Sequence, residues 1–318
     1  MRYFITGGAG FIGSNLADRL LADGHQVTAY DNLSTGQLGF IDSALKHPNF
    51  KLVEGDLLDE PKLGDAVRGH DVVFHLAANA DVRFGTDHPR RDLEQNTIAT
   101  YNVLESMRLA GIKQIGFSST GSVYGEPTVH PTPEDAPFPV QTSLYGASKL
   151  AGEGLIQAYV TGFGFTGYIF RFVSILGERY SHGHVFDFYR ALKKDPTKLR
   201  ILGNGKQRKS YLYVGDCVEA ILTITQKGPQ QGVNVFNLGT DEYTEVNGSV
   251  DWITAKMGVT PAREYTGGER GWIGDSPFIF LDCKKLRSLG WKPKLTIKQG
   301  VEKTVEYLAA NAWLFEKR

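Results

Sequence analysis

Short apolar runs recur along this chain at intervals that leave room for one amphipathic helix between successive runs. Residues 2–6, 26–30, 50–54, 71–76, 113–118 and 166–172 each have the length and composition of a strand. Between them, Leu93, Thr97, Tyr101, Leu104 and Met107 return at helical spacing over 93–107. Strands alternating with helices predict an α/β fold built on a doubly wound parallel sheet. Beyond about residue 175 the alternation weakens: Gly177–Gly183 and Gly203-Asn204-Gly205-Lys206 read as loops, and 234–238 as a shorter strand. The predicted organisation is a first domain over 1–175 and a smaller, irregular substrate lobe over 176–318. Part of 205–240 is expected to return to the sheet, at Tyr211–Val214.

The first strand runs into Gly7-Gly8-Ala9-Gly10-Phe11-Ile12-Gly13 and then into a helix with Leu16, Leu20 and Leu21 on one face. Strand, glycine turn and helix are the dinucleotide-binding arrangement of a Rossmann-type domain. Gly7 makes the turn, Gly10 lets the backbone approach a pyrophosphate, and Gly13 lets the helix pack on the strand. The helix start offers unpaired N–H groups and a partial positive charge to the phosphates, beside Phe11 and Ile12. The second strand ends on Asp31, where an acid binds the adenosine ribose hydroxyls and repels a 2′-phosphate, so NAD is favoured over NADP. Asn32, Ser34, Thr35 and Gly36 continue this stretch and are assigned to the cofactor.

In an open parallel sheet, ligands lie beyond the C-terminal ends of the strands. Several polar or small residues fall there. Asp56, with Leu57, is placed to bind adenine. Leu76, Ala77 and Ala78 leave room for the cofactor backbone, and Ser118-Ser119-Thr120 offers hydroxyls to a substrate oxygen. Tyr145 and Lys149, in Tyr145-Gly146-Ala147-Ser148-Lys149, share one helical face. An ammonium beside a phenol favours the phenolate and is expected to draw the tyrosine pKa down from its usual value of about 10. Such a tyrosine exchanges protons with a sugar or alcohol hydroxyl while hydride moves elsewhere.

Composition narrows the classes. The 318 residues carry 35 basic and 35 acidic side chains, so no basic footprint for nucleic acid exists. Two cysteines, Cys217 and Cys283, have no metal-type spacing and fit a reducing compartment. His182 and His184 lack carboxylate or cysteine partners, so no metal site is assigned. No run approaches the roughly 18 apolar residues of a membrane span. The expectation is a cytoplasmic protein.

These motifs resemble the extended short-chain dehydrogenases/reductases, specifically the NAD-dependent nucleotide-sugar epimerase/dehydratase family. The likeness rests on Thr6–Gly13, Asp31-Asn32, Gly55-Asp56-Leu57, His75-Leu76-Ala77-Ala78, Asn96, Ser118–Gly125, Tyr145–Lys149 and Leu289-Gly290-Trp291-Lys292-Pro293. It implies Tyr145 as acid/base, Thr120 on the reacting sugar oxygen, Lys149 on the nicotinamide ribose, Asn96 in support and Phe172 near the nicotinamide. It also implies removal of hydride from C4, a transient 4-keto sugar, and return of the same hydride to the other face. Family dehydratases carry an Asp-Glu pair where Gly121 and Ser122 stand here, and decarboxylases a Glu near Ser122, so the pattern is most similar to the UDP-glucose 4-epimerases and their UDP-glucuronate relatives.

Substrate contacts follow from the same resemblance. Ser174 replaces the usual asparagine of Arg-x-x-Asn-x-x-Gly, and Lys209 stands where an arginine binds the diphosphate. Arg270 is the candidate for a second phosphate contact, and His184 and Val185 open the nucleotide-binding segment. The family implies a homodimer through the helix after Arg90 and the helix bearing Tyr145. An NAD(P)H-dependent 4-ketosugar reductase shares every catalytic residue named, and a non-catalytic NAD-binding protein is the alternative from another class.

Overall fold

A computed structural model of the chain describes residues 1–137, 140–272, 275–276 and 278–316. The strands begin with β1 (Arg2–Thr6), β2 (Gln26–Asp31), β3 (Phe50–Glu54), β4 (Val72–His75), β5 (Gln114–Thr120) and β6 (Thr166–Phe172). Then follow β7 (Ser174–Leu176), β8 (Lys198–Ile201), β9 (Arg208–Lys209), β10 (Tyr211–Tyr213), β11 (Gly232–Leu238), β12 (Thr244–Glu245), β13 (Ala262–Tyr265) and β14 (Phe278–Ile279). Among the helices, α1 (Phe11–Ala22), α2 (Asp42–Leu45), α3 (Glu60–Val67), α4 (Val82–Asp87), α5 (Pro89–Asp92), α6 (Ala99–Leu109) and α7 (Leu144–Phe163) serve the first half. The second half holds α8 (His184–Lys194), α9 (Val214–Lys227), α10 (Val246–Met257), α11 (Lys284–Ser288) and α12 (Ile297–Ala310).

Seven parallel strands form the main sheet in the order β11-β6-β5-β4-β1-β2-β3. Because a parallel sheet must be covered on both faces, its strands carry continuous apolar runs, and every residue of β6 is buried. Leu16 and Leu20 of α1 and Cys217 and Ile221 of α9 fill the core on one face. Leu63 of α3, Val103 and Met107 of α6 and Ile156 of α7 fill the other. A third core, with Val185, Phe186, Val250, Ile253, Val301 and Val305, holds α8, α10 and α12 together. Among the described residues no helix is long and apolar enough to cross a membrane.

Strand order reverses between β1 and β4, so the crevice beyond their C-terminal ends is the ligand position of an open α/β sheet. Two details differ from the sequence expectations. Tyr211–Tyr213 does not join the main sheet but pairs with β7, and Gly232–Leu238 takes the edge instead. The expected helix over 93–107 opens as a π-helical turn, Leu93–Ile98, before α6. There Asn96 is turned inward, its side-chain oxygen accepting from the Asn79 N–H, and its carbonyl receives the Thr100 hydroxyl.

Helix α7 is pinned by charge and by close approach. Ser143 caps its start through the Gly146 N–H, and Gly164 ends it in the left-handed conformation. At Gly152 a Cβ would sit 2.8 Å from the Phe117 ring, so only glycine lets α7 lie this near β5. One residue further, Glu153 is fully buried and grips Arg171 of β6 with two hydrogen bonds of 3.0 and 2.7 Å. Arg171 also donates to the Tyr124 hydroxyl and the Glu134 carbonyl, and the Ser119 hydroxyl donates to Glu153.

Removing one partner of a buried pair leaves an uncompensated charge, costing about 3–5 kcal/mol. Glu153→Ala should therefore lower unfolding stability in urea by about that amount. Adding Arg171→Met to the same chain should recover much of the loss.

Candidate active site

The glycine loop owes its shape to contacts with two strand ends. Gly7 has φ +70°, and a Cβ there would lie 2.7 Å from the Ala77 nitrogen, so the loop and the end of β4 are in direct backbone contact. A Cβ at Gly8 would lie 2.5 Å from that of Ala29, and one at Gly13 would run into the Gly7 carbonyl. Gly10 donates its N–H to Gly7 (3.1 Å) and precedes α1 without a side-chain cap, leaving the first-turn N–H groups at Phe11 and Ile12 for an anion.

Asp31 closes the cradle. Its carboxylate accepts from the Ala9 N–H and the Leu33 N–H, both at 2.9 Å, and a Cβ on Gly36 would crowd it. Burial pushes its pKa up, and those two N–H groups pull it back. Asn32 donates to Asp56 at 2.9 Å and receives the Ser34 hydroxyl at 2.7 Å, which links the two acids expected around adenosine. Thr35 is exposed beside them. The Leu57 side chain is buried in the core, so it offers a ligand only its backbone. Tight glycines, an uncapped helix start and an acid at the end of β2 fit a dinucleotide.

Thr120 ends β5 and accepts the Ser122 N–H at 3.1 Å, capping the short turn Gly121–Tyr124. The phenol of half-buried Tyr145 lies near the Thr120 hydroxyl, which favours its charged form. One turn further along α7, Lys149 is 1% exposed and donates to the Ser118 carbonyl at 2.8 Å, with its ammonium 4.8 Å from the Phe117 ring centroid. Asn96 is buried behind this pair and donates to Ser148 at 2.9 Å, while Ser148 donates to the Tyr145 carbonyl. Phe172 ends β6 and is buried. Thr120, Tyr145, Lys149, Asn96 and Ser118 are thus brought together.

The electrostatics differ from the sequence expectation. Burial pushes the Tyr145 phenol up to about 12, opposed by the Thr120 hydroxyl and reinforced by the charge of Asp92. Burial brings Lys149 down to about 7, against the pull of Asp92 and Glu153. The lysine does not lower the phenol here because desolvation dominates and its ammonium is engaged by Ser118. Asp92 and Glu153 were not singled out from the sequence. The available signal was an acid in phase with Lys149 on the buried face of its helix.

Most of the substrate candidates lie around β7, β9 and β10. Lys209 pairs with buried Asp275 at 2.7 Å, and Arg270 donates to the Asp275 carbonyl and pairs with Glu126 at 2.6 Å. His184 donates to or accepts from Ser249 at 2.7 Å and stacks on Tyr211, centroids 4.6 Å apart. Burial and then the nearby Lys209 push His184 down to about 3, so it is neutral. Ser174 is exposed and lies opposite Tyr211 in the β7–β10 pair. The Val185 side chain belongs to the third core, leaving only its backbone to a ligand.

A doubly wound sheet with this cradle and a Thr–Tyr–Lys set is that of an enzyme passing hydride between a dinucleotide and an alcohol. The chain belongs to the NAD dependent epimerase/dehydratase family, whose model matches residues 3–239. It is 35% identical to the UDP-glucose 4-epimerase of Mycolicibacterium smegmatis, covering 96% of this chain and 98% of that protein. A crystal structure of UDP-galactose 4-epimerase is 38% identical, with TM-score 0.89 and coverage of 98% and 100%. A UDP-glucuronic acid 4-epimerase from Bacillus cereus, solved with UDP-glucuronic acid and NAD, is 25% identical with TM-score 0.90, covering 98% and 99%.

Asp31 shapes the loop and ends β2, where the cofactor ribose is expected. Asp31→Asn should therefore weaken NAD binding by at least tenfold, read by titration calorimetry, without creating a preference for NADP.

Proposed function

We propose that this enzyme interconverts the C4 epimers of a UDP-linked hexose or hexuronic acid. The observation that carries the reading is the meeting of Thr120 and Tyr145 at the end of β5, beside buried Lys149. The glycine loop, Asp31, Asn32 and Asp56 would hold the adenosine and pyrophosphate of NAD, and Lys149 and Ser118 its other ribose. When bound, NAD supplies reversible hydride transfer at C4 of the sugar.

Tyr145, as its phenolate, takes the proton of the C4 hydroxyl as hydride leaves the carbon, giving a 4-keto sugar and a neutral phenol, and returns that proton when hydride comes back on the other face. Thr120 holds the same sugar oxygen and keeps it in line with the phenol. Gly121 and Ser122 offer no ionisable group for elimination of water, which favours epimerisation over dehydration. Lys209 and Arg270 would receive the substrate diphosphate, as point charge and planar fork respectively. A UDP sugar matches the molecules named with the related epimerases.

The protein is proposed to act as a homodimer in the cytoplasm. Tyr101 and Leu109 of α6 and Phe163 of α7 are exposed apolar side chains on two neighbouring helices, which supports a shared face. Two buried, unpaired cysteines suit a reducing compartment.

Purified enzyme given UDP-glucose, UDP-galactose or UDP-glucuronic acid should form the 4-epimer without added reduced cofactor. Tyr145→Phe should lower kcat by about 10²–10⁴ while keeping the thermal stabilisation by NAD. Stoichiometric oxidation of added NADH would instead establish a ketosugar reductase. Light scattering after size exclusion should give twice the chain mass, with Tyr101→Glu shifting the protein towards monomer.

A further inference from the structure

A carboxylate outside the recognised motifs lies behind the proposed acid/base pair. Asp92 ends α5 and is 2% exposed. Its Oδ1 accepts from Asn79 at 2.9 Å and from Asn96 at 3.2 Å. Its Oδ2 is buried without a hydrogen-bond partner among the described residues, and a Cβ on Gly85 of α4 would run into it. Asn96 passes the contact on to Ser148, and Ser148 to the carbonyl of Tyr145. Two side chains thus connect Asp92 to the turn of α7 that carries both Tyr145 and Lys149.

The charges around this turn single Asp92 out. Facing Asp92 are Lys149 and Tyr145 from α7 and Asp81 ahead of α4. Facing Lys149 are Asp92, Glu153 and His75. Glu153 is already matched by the guanidinium of Arg171. His75 is held by Thr6 and Thr100, and burial brings it down to about 3, so it is neutral. Among the described residues the hydrogen bonds to Asp92 come from neutral amides, and none from a cation, while burial pushes its pKa up. A buried ammonium without a nearby carboxylate gives up its proton readily.

We propose that Asp92 is a positioning residue for the Tyr145–Lys149 pair: it fixes their turn through Asn96 and Ser148 and sets a buried carboxylate behind it. Its negative charge favours the ammonium of Lys149 and opposes formation of the phenolate. Asp92 therefore sets where on the pH scale the pair works, without touching the sugar. This inference rests on the acid/base reading of the pair given above.

The test is the pH profile of kcat in Asp92→Asn, which keeps the shape and removes the charge. Loss of a nearby negative charge eases deprotonation of both groups, so both limbs of the bell should move to lower pH by about one unit. Asp92→Ser, smaller and equally neutral, should move them the same way and covers the case in which the amide is not tolerated. A purely structural role would lower kcat or Tm with both limbs in place, and that result overturns the proposal. The Lys149 side-chain ¹³C resonance, assigned by its loss in Lys149→Arg, reads the same shift without turnover. If the resonance titrates at lower pH in Asp92→Asn while no substrate is turned over by the unmodified enzyme, the electrostatic inference stands and the epimerase reading fails. An unmoved resonance refutes the inference, whatever the activity.

Discussion

The ion pair between Glu153 and Arg171 is the constraint on which the placement of the active residues depends. It joins α7 to β6 where both are fully buried, and it recruits Ser119 of β5 and the Tyr124 turn on the way. Those are the elements that carry Lys149, Phe172 and Thr120. Two desolvated ions cost more than they return unless their remaining donors and acceptors are filled. Here the guanidinium has a carboxylate, a phenol and a carbonyl, so the geometry is over-determined. The benefit is a fixed relation between a helix face and two strand ends, which a greasy contact of similar size would specify less sharply.

That fixed relation explains how a phenol and an ammonium with unfavourable surroundings are kept where they are. Burial alone favours a neutral phenol and a neutral amine. The Thr120 hydroxyl works against the first, and the nearby carboxylates of Asp92 and Glu153 against the second. Perturbed groups of this kind concentrate where proton transfer is done. The surrounding structure holds them there through buried side chains, among them Asn96, Ser148 and Glu153.

Much of this was legible in the chain because it is written in local pattern. Alternating apolar runs gave β1 to β6 to within about two residues, and the glycines before α1, with Asp31 after β2, marked the cradle. Tyr145 and Lys149 were visible from helical spacing alone. What stayed hidden was pairing over long sequence separation. Glu153 looks like an ordinary helix-surface acid until Arg171 is seen beneath it, and Asp92 looks solvated until Gly85 and Asn79 close around it. The exchange of edge strands, with β11 beside β6 and β10 beside β7, likewise turns on contacts across some 40 to 70 residues. The π-helical turn before α6 was unreadable for a different reason: the apolar period runs on through it.

If Lys209 and Arg270 receive the substrate diphosphate as proposed, the pairing of Lys209 with Asp275 bears on how the site would discriminate among anions. The ammonium is already matched by an internal carboxylate, with Arg270 anchored to the same segment. An incoming phosphate meets a cation whose charge is largely spoken for, so a single weak anion gains little by entering. Two linked phosphates, engaging both cationic arms at once as proposed, would have more to set against the loss of that pair. Inorganic phosphate, abundant around any such enzyme, would thereby be a poor competitor, and selectivity for a bridged dianion would come from an internal rival rather than from added positive charge.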